Sequence, residues 1–178
     1  GGLPLVKFTH DAGHETCPDE NDENSVYAKE TGHPSYRADD ALWLFPTIMK
    51  YIGESGNKSF LDEVITYAEE GGGEGTVYEH LKNAIRFSME RLGDHDMPAG
   101  LHADWNDCLR LGAKGESTFV AFQLYYAMTA IKEMAVLKND TDYIAYIDEV
   151  QAKLADALEK CWDEDRFIRG IRENGDIV

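Results

Sequence analysis

The sequence predicts an all-α fold that ends in a short β-hairpin. Apolar side chains recur with a 3.6-residue period from Asp39 onward, several periodic segments begin at capping residues, and glycines separate them. We expect an irregular loop segment over residues 1–38, where "HETCPDENDENS" has loop composition, and a helical portion over residues 39–178. No sheet of more than two or three short strands is expected.

The first predicted helix is "DDALWLFPTIMKYIGESG". Asp39 and Asp40 suit its N-cap and first turn, because carboxylates there favour the positive end of the helix dipole. Pro46 lies inside the segment, so we expect either a kink or an early start of the helix.

Two further helices are predicted before a long loop. "SFLDEVITYAEE" is expected to be helical with Ser59 as its cap, and "EGGGEGT" ends it. "TVYEHLKNAIRFSMERLG" follows, with Thr76 and Glu79 in the spacing of a capping box and Gly93 at its end.

The segment over residues 94–116, here called the motif loop, separates these helices from two longer ones. Connections longer than ~12–15 residues are uncommon in compact domains and are usually functional. The next helix, "ESTFVAFQLYYAMTAIKEMAVLKN", is apolar around most of its circumference and is expected to be deeply buried. Its aromatic residues are expected in the core: Phe119, Phe122, Tyr125 and Tyr126.

The last predicted helix, "DTDYIAYIDEVQAKLADALEKCWD", is amphipathic. Its apolar side carries Leu154, Ala157, Leu158 and Cys161. The final "RFIRGIRENGDIV" predicts a hairpin that turns at Asn174-Gly175, because Asn-Gly suits a tight β-turn.

Charge and cysteine content restrict the function classes. The 178 residues include 34 acidic and 17 basic side chains, and the net charge of −17 disfavours binding to nucleic acid or to anionic membranes. The three cysteines, Cys17, Cys108 and Cys161, form no CxxC pair and favour a reducing compartment. Apolar runs stay short of the ~20 residues of a membrane span, and the Gly-Gly start shows no signal sequence. We expect a soluble, cytoplasmic protein.

The stretch "LHADWNDCL" in the motif loop concentrates chemistry-bearing residues. It places Asp104, Trp105, Asn106 and Asp107 in four consecutive positions. One interpretation is structural, with an aspartate capping a turn and Trp105 anchored in the core. The other is a sugar site, because an indole can stack on a pyranose, Asp and Asn can bind hydroxyls, and a carboxylic acid can protonate a glycosidic oxygen.

Two other patterns favour no site. His10 and His14 have the i,i+4 spacing of zinc ligands, with Cys17 nearby, but an Asp follows the first histidine and Gly13 disfavours a helix. We therefore expect no metal there. "GAKGES" lacks the spacing of a phosphate-binding loop and is interpreted as the lead-in to the long helix.

At this point the residues resemble a known family. "GLHADWNDCLRLGAKGES", followed by the aromatic helix, resembles the inverting β-glycoside phosphorylases typified by cellobiose and chitobiose phosphorylases. "YRADDALWLFPTIMKYIGESGNKSFLDE" and "GEGTVYEHLKNAIRFSMERLG" resemble the segments that precede this motif, in the same order. The likeness runs from about Gly32 to the C-terminus.

The resemblance implies an (α/α)6 toroid and the reversible cleavage of a β-linked disaccharide by inorganic phosphate. Asp107 matches the general acid, Trp105 matches a residue that lines the sugar subsites, and Asp104 is a neighbouring acid with a supporting role. Asp39 and Asp40 match a motif near the cleft without a defined role. No cofactor is implied, since phosphate is a co-substrate and needs no general base to activate it.

A complete enzyme of this family is several times longer, and its phosphate-binding residues come from other segments. We therefore expect partner segments, or self-association, to cover this portion of the ring. Two alternatives remain: an inverting hydrolase on the same toroid, which would need a second carboxylate as base, and a non-catalytic helical module that binds sugar. Glucose, N-acetylglucosamine and gluconate all remain open as acceptors.

Overall fold

The computed structural model describes residues 37–67, 73–101, 103–106, 108–112 and 114–178. Within these ranges the fold is mainly helical, with short antiparallel strands. The predicted irregular segment falls almost wholly outside the described residues. The helices are α1 (Leu44–Ser55), α2 (Val77–Met89), α3 (Thr118–Lys138) and α4 (Thr141–Glu159). The strands are β1 (Val64–Thr66), β2 (Glu74–Thr76), β3 (Glu116–Ser117), β4 (Trp162–Asp163), β5 (Arg166–Phe167) and β6 (Gly170–Ile171).

Helix α1 begins later than the acidic pair that was expected to start it. A 3-10 turn, Asp40–Trp43, comes first, and the α-helix starts at Leu44. Pro46 therefore lies in the first α-helical turn, where its missing N–H leaves no hydrogen bond unmade. The α-helix thus starts only shortly before Pro46, and it ends at Ser55 with Gly56 as its C-cap in the left-handed region, at φ 70°.

The second predicted helix, with its cap at Ser59, is wrong. Residues Lys58–Asp62 form a 3-10 turn, and the chain then enters β1, which pairs with β2 in the register Val64↔Thr76. The physical reason is that the Val-Ile-Thr run is β-branched and that Leu61 alone is buried in the turn. Val64 and Ile65 are both exposed in β1, so the apolar positions that suggested a helix form no buried face among the described residues.

The capping box of α2 is confirmed. The backbone N–H of Glu79 donates to Thr76 Oγ1 at 3.2 Å, and the backbone N–H of Thr76 donates to Glu79 Oε2 at 2.7 Å. The predicted end at Gly93 is wrong, because the helix stops at Met89. A glycine is needed at position 93 because a Cβ there would overlap the buried side chain of Glu116.

Helices α3 and α4 form an antiparallel pair, and α3 also packs against α1 and α2. Asn139 makes the turn with φ 54°, and the Asp140 side chain caps α4 by accepting from the backbone N–H of Tyr143. The predicted burial of one side of α4 is confirmed, whereas α3, expected to be deeply buried around most of its circumference, is buried on one face only. The fully buried residues of α3 are Val120, Ala121, Leu124, Ala127, Met128, Ile131, Met134 and Ala135, and α4 buries Leu154, Ala157 and Leu158, with Cys161 beyond its end.

The expected core position of the α3 aromatics is wrong. Phe122, Tyr125 and Tyr126 are exposed, and Phe119 is only partly buried. The face of α3 that meets the other helices carries alanines and unbranched or aliphatic side chains, which allow close approach of the helices. The bulky rings therefore lie on the opposite, outward face of the described residues.

The C-terminal strands connect the end of the chain to the motif loop. The predicted turn at Asn174-Gly175 is confirmed, with Gly175 at φ 86° and a bridge between Ile171 and Ile177. An additional hairpin, β4–β5, precedes it. Strand β6 pairs with β3, which leads directly into α3. Every sheet in the described ranges has two strands, which agrees with the predicted upper limit.

Candidate functional site

Backbone hydrogen bonds fix the path of the motif loop. The N–H of Gly100 donates to the carbonyl of Gly115 at 2.8 Å, and the N–H of Ser117 donates to Pro98 at 3.1 Å. The N–H of Ala38 donates to the carbonyl of Ala103 at 2.9 Å, so the chain before α1 lies beside the motif. A loop held at both ends and at its middle can present side chains in defined positions.

Asp104 lies in the interior with all its hydrogen bonds made to the protein. Both of its carboxylate oxygens accept from Arg169 Nη2, each at 2.8 Å. Ser117 Oγ donates to Oδ2 at 2.5 Å, and the backbone N–H of Asn106 donates to Oδ1 at 2.8 Å. Asp104 is 3% exposed, so its hydrogen bonds fix the motif loop from the interior of the protein. A direct contact between Asp104 and a sugar stays a prediction.

Ser117 joins this buried pair to the start of α3. Its hydroxyl accepts from the backbone N–H of Val120 at 3.2 Å as the helix N-cap, and it also accepts from Arg169 Nη1 at 3.1 Å. The predicted lead-in to α3 is therefore confirmed. The same serine hydroxyl donates to Asp104, so the motif, the helix and the C-terminal strands meet at one buried polar cluster.

Trp105 is presented outward. It is 70% exposed, and its ring lies 6.3 Å from that of Phe119, centroid to centroid. The structural alternative, a core anchor, is therefore wrong for this indole. Asn106 makes a local turn, since its Oδ1 accepts from the backbone N–H of Cys108. Asp107, the predicted general acid, lies outside the described residues, and its role stays a prediction.

Asp39 does not act as the predicted helix cap. Its side chain makes no capping hydrogen bond and instead accepts from Trp43 Nε1 at 2.8 Å. Burial, with the negative charges of Asp40 and Asp104, raises the pKa of Asp39 to about 6, against the lowering effect of the Trp43 hydrogen bond. Asp40 is buried in the first turn, as expected for its position.

Glu116 organises the turn at the start of the motif loop. It is 2% exposed and accepts from the backbone N–H groups of His95 at 2.9 Å and Met97 at 3.1 Å. His95 Nδ1 lies 2.5 Å from Glu116 Oε2. The strand that contains Glu116 pairs with β6, so the segment after "GAKG" is part of the framework.

Sequence reasoning missed Arg169 and Glu116 as organisers of the loop. Arg169 lies 65 positions from Asp104, and no local spacing connects the two. The one available signal was general: a buried acid in a motif requires a cation or several donors. Nothing in the sequence indicates which of the 17 basic residues supplies it.

The structure describes only some of the candidate metal ligands and cysteines that the sequence singled out. His10, His14 and Cys17 lie outside the described residues, and in the described ranges no cluster of three or more His, Cys, Asp or Glu could hold a metal ion. Cys108 is exposed and Cys161 is buried, both as free thiols. None of the helices within those ranges combines the length and the apolar character needed to span a bilayer.

Comparisons with known proteins agree with the resemblance of the motif segment. A family model described as "Glycosyl hydrolase 94 superfamily, catalytic domain" matches residues 8–178. The N,N'-diacetylchitobiose phosphorylase of Vibrio proteolyticus is 42% identical over 90% of this chain and 20% of its own length. The solabiose phosphorylase of Paenibacillus borealis is 32% identical over 82% of this chain and 19% of its own length. The chain thus spans about one fifth of the length of these two curated relatives.

Proposed function

This chain belongs to the glycosyl hydrolase 94 superfamily, within its catalytic domain, and from that premise we propose that the whole protein is a glycoside phosphorylase. It cleaves a β-linked disaccharide with inorganic phosphate, reversibly and with inversion, to a sugar 1-phosphate and a shorter sugar. The observation that carries the proposal is the exposed Trp105 beside the buried Asp104–Arg169 pair. An exposed indole on a rigid loop suits stacking against a pyranose face, and the names of the relatives agree with that substrate class.

In the proposed reaction Asp107 is the general acid. A phosphate oxygen forms a bond to the anomeric carbon from one face of the ring while the glycosidic C–O bond breaks on the other, which inverts the configuration. The Asp107 proton passes to the leaving oxygen, and in the reverse direction the same carboxylate takes it back. No metal or organic cofactor takes part, and the phosphate-binding residues belong to segments outside this chain.

The finer architecture is also a proposal. We assign α1 to α4 to part of an (α/α)6 toroid. The outward aromatic face of α3 then meets the remaining segments of the domain, or a second copy, since contiguous exposed apolar patches commonly mark contact surfaces. The net charge of −17 supports an enzyme with no nucleic-acid or membrane partner, and we assign it to the cytoplasm.

Two alternatives predict different products. An inverting hydrolase would release free sugar without phosphate and would need a second carboxylate about 6.5–9.5 Å from the acid to activate water. A non-catalytic helical module would bind the sugar and release nothing. Among the described carboxylates, Asp39 has a pKa raised to about 6, but its Oδ2 accepts from the Trp43 indole.

The deciding experiment incubates the full-length protein with a panel of β-linked disaccharides, with and without inorganic phosphate. We expect sugar 1-phosphate to form only with phosphate, and N,N'-diacetylchitobiose is the first substrate to test because of the Vibrio relative. Free monosaccharides formed equally without phosphate would identify the hydrolase. Binding without any product would identify the sugar-binding module.

A further inference from the structure

The two exposed tryptophans near the motif are connected by a third ring. Phe119, in the first turn of α3, lies 6.3 Å from Trp105 and 6.5 Å from Trp43 between ring centroids. Trp43 is 45% exposed, although it belongs to a different element from the motif loop. Phe119 therefore links the indole of the motif loop to the indole that directly precedes α1.

The orientation of Trp43 is unusual for an exposed indole. Its polar N–H points inward to Asp39 Oδ2 at 2.8 Å, while nearly half of the residue surface faces solvent. A tryptophan placed for stability would do the reverse, since a buried ring gains hydrophobic free energy and an exposed N–H can bond to water. Because Asp39 engages its N–H, the Trp43 indole can offer a ligand only its aromatic carbon atoms.

The residue that holds Trp43 is itself costly to bury. Asp39 is 2% exposed, and its Oδ1 has no hydrogen-bond partner among the described residues. The pKa of Asp39 is raised to about 6 by burial and by the charges of Asp40 and Asp104. A buried, incompletely satisfied carboxylate lowers stability. The role of the Asp39 carboxylate is therefore better explained by its positioning of the Trp43 ring than by a contribution to stability.

We propose that Trp43, Phe119 and Trp105 form one aromatic platform for a carbohydrate chain, with Trp43 as a second stacking residue and Asp39 as its positioning residue. This inference rests on the proposed function and extends it. The two indoles lie no farther apart than the sum of the two ring distances, so one short oligosaccharide can contact both. The ligand class is a saccharide that presents the C–H face of a second pyranose to Trp43, since an indole whose N–H is already engaged contacts the ring face more than individual hydroxyls.

The contacts of Arg169 also support the proposed aromatic platform. Its guanidinium lies 5.5 Å from the Phe119 ring centroid while it binds Asp104. The central ring of the platform and the loop that carries Trp105 are therefore fixed by one arginine. Asp39 binds the Trp43 indole directly, and the Asp104–Arg169 pair fixes the backbone directly before Trp105.

The test measures saccharide affinity in the full-length protein separately from turnover. Calorimetric titration with N,N'-diacetylchitobiose and with cellobiose, without phosphate, gives the dissociation constants for the wild type, Trp43→Ala and Trp43→Phe. We expect Trp43→Ala to weaken binding of at least one of the two by about 3- to 10-fold and Trp43→Phe to restore most of it, because aromatic contacts contribute on that scale. Trp162→Ala is the matched control, since Trp162 is 53% exposed and lies on the β4–β5 hairpin.

Asp39 variants test its positioning role. Asp39→Asn keeps an oxygen that accepts from Trp43 and should bind like the wild type, whereas Asp39→Ala should weaken binding as Trp43→Ala does. In turnover assays both effects should appear in KM and leave kcat within about twofold.

Three outcomes would overturn the platform. Unchanged affinity for both disaccharides in Trp43→Ala would do so, and so would a fall in thermal stability with unchanged affinity, which would place Trp43 against another segment of the protein. An equal loss of affinity in Trp162→Ala would show that the effect is not local. The proposed function fails separately, if the wild type binds disaccharide but forms no sugar 1-phosphate.

Discussion

The α3–α4 pair and the motif loop reach fixed positions by opposite means. The helix pair is held by apolar burial, with residues such as Leu124, Ile131 and Leu154 at 0–2% exposure. The motif loop is held by polar groups taken out of water: Asp104 with Arg169, and Glu116 with the turn at His95. Apolar packing stabilises the fold, whereas buried ion pairs often contribute little net stability and fix geometry instead. The buried polar groups of the motif loop therefore fix the positions of its side chains and add little to the stability of the fold.

The largest expected effect lies in the motif loop itself. Asp107→Asn should lower kcat for disaccharides with poor leaving groups by about 10²–10⁴-fold, the usual range for lost general acid catalysis. Substrate binding should change little, because the amide is nearly isosteric. A glycoside with an activated leaving group should recover much of the lost rate, because its oxygen departs without a proton.

The measurement is the ratio of mutant to wild-type rates on the two kinds of leaving group, in the full-length enzyme. Asp104→Asn and Trp105→Ala are the comparison variants. The first should reduce both rates by a smaller, equal factor, and the second should act mainly through weaker binding. If Asp107→Asn also reduced both rates equally, its carboxylate would be a binding group and the proton would come from elsewhere.

The buried pair under the loop should show the next largest effect. Arg169→Met leaves the Asp104 carboxylate buried without its cation, which typically costs about 3–5 kcal/mol. We expect the lower end of that range, because the Arg169 side chain is 31% exposed. Since Trp105 directly follows Asp104, saccharide binding should weaken together with thermal stability.

Two variants make this prediction specific. Arg166→Met removes an exposed arginine from the neighbouring strand β5 and should leave stability and binding near wild type. The double variant Asp104→Asn/Arg169→Met removes both charges and should recover part of the stability lost in the single variant. A double variant as unstable as the sum of the two single ones would show that the pair has no energetic coupling.

The helix pair should respond in the opposite way. Leu154→Ala opens a cavity in a well-packed core and should cost about 2–5 kcal/mol, with kcat and KM unchanged below the unfolding range. Leu154 is 2% exposed, and the neighbouring Lys153 is an exposed control for Lys153→Ala. A Leu154→Ala enzyme of normal stability but altered KM would remove the distinction between the two regions.

This difference also explains what the sequence could predict. The burial of α3 and α4 and the capping box of α2 depend on spacings of three and four residues, which are visible in one chain segment. The anchors of the motif loop depend on partners far along the chain, such as Arg169. Residues Val64–Thr66 were expected to be helical because their apolar spacing fitted, but their β-branched side chains and their pairing with β2 prevailed.

The solvent exposure of aromatic side chains could not be predicted from local sequence patterns either. The aromatics of α3 have helical spacing, but spacing identifies a shared face and not what covers it. Phe122, Tyr125 and Tyr126 share an outward face in the described residues. Trp43 is exposed for a related reason, since its N–H is held by Asp39 and no periodicity indicates that contact.

Asp39 provides a smaller test through pH. Its pKa rises from 3.8 to about 6 on folding, so the folded state binds the proton more tightly than the unfolded state. The associated stability is fully present below pH ~4 and is lost as pH rises through about 6. Asp39→Asn removes this loss and should be more stable than the wild type at pH 7, by up to about 3 kcal/mol, with little difference at pH 4. Thermal inactivation midpoints at the two pH values measure it.

The control for that experiment is Asp163→Asn, an exposed acid in β4, which should shift neither midpoint. Greater stability of Asp39→Asn at both pH values would mean that the gain comes from packing and not from the proton. Lower stability at pH 7 would mean that the Asp39 carboxylate is more favourable in the fold than its burial indicates.

The smallest effect is expected at the capping box of α2, which has the local character of the helix pair. Thr76→Ala removes the hydroxyl that accepts from the Glu79 backbone N–H at 3.2 Å and donates to Glu79 Oε2 at 2.9 Å. Loss of such a cap costs about 1 kcal/mol, and Thr76→Ser should restore it. The pKa of Glu79 is lowered from 4.5 by hydrogen bonds from the Thr76 backbone and side chain, so its contribution is present above pH 4.5 and is lost as pH falls further. The cost of Thr76→Ala should therefore shrink in acid, while KM for the disaccharide stays constant. A change in KM would mean that this local cap also positions the motif loop. The distinction between elements that stabilise the fold and elements that position the site would then be wrong for α2.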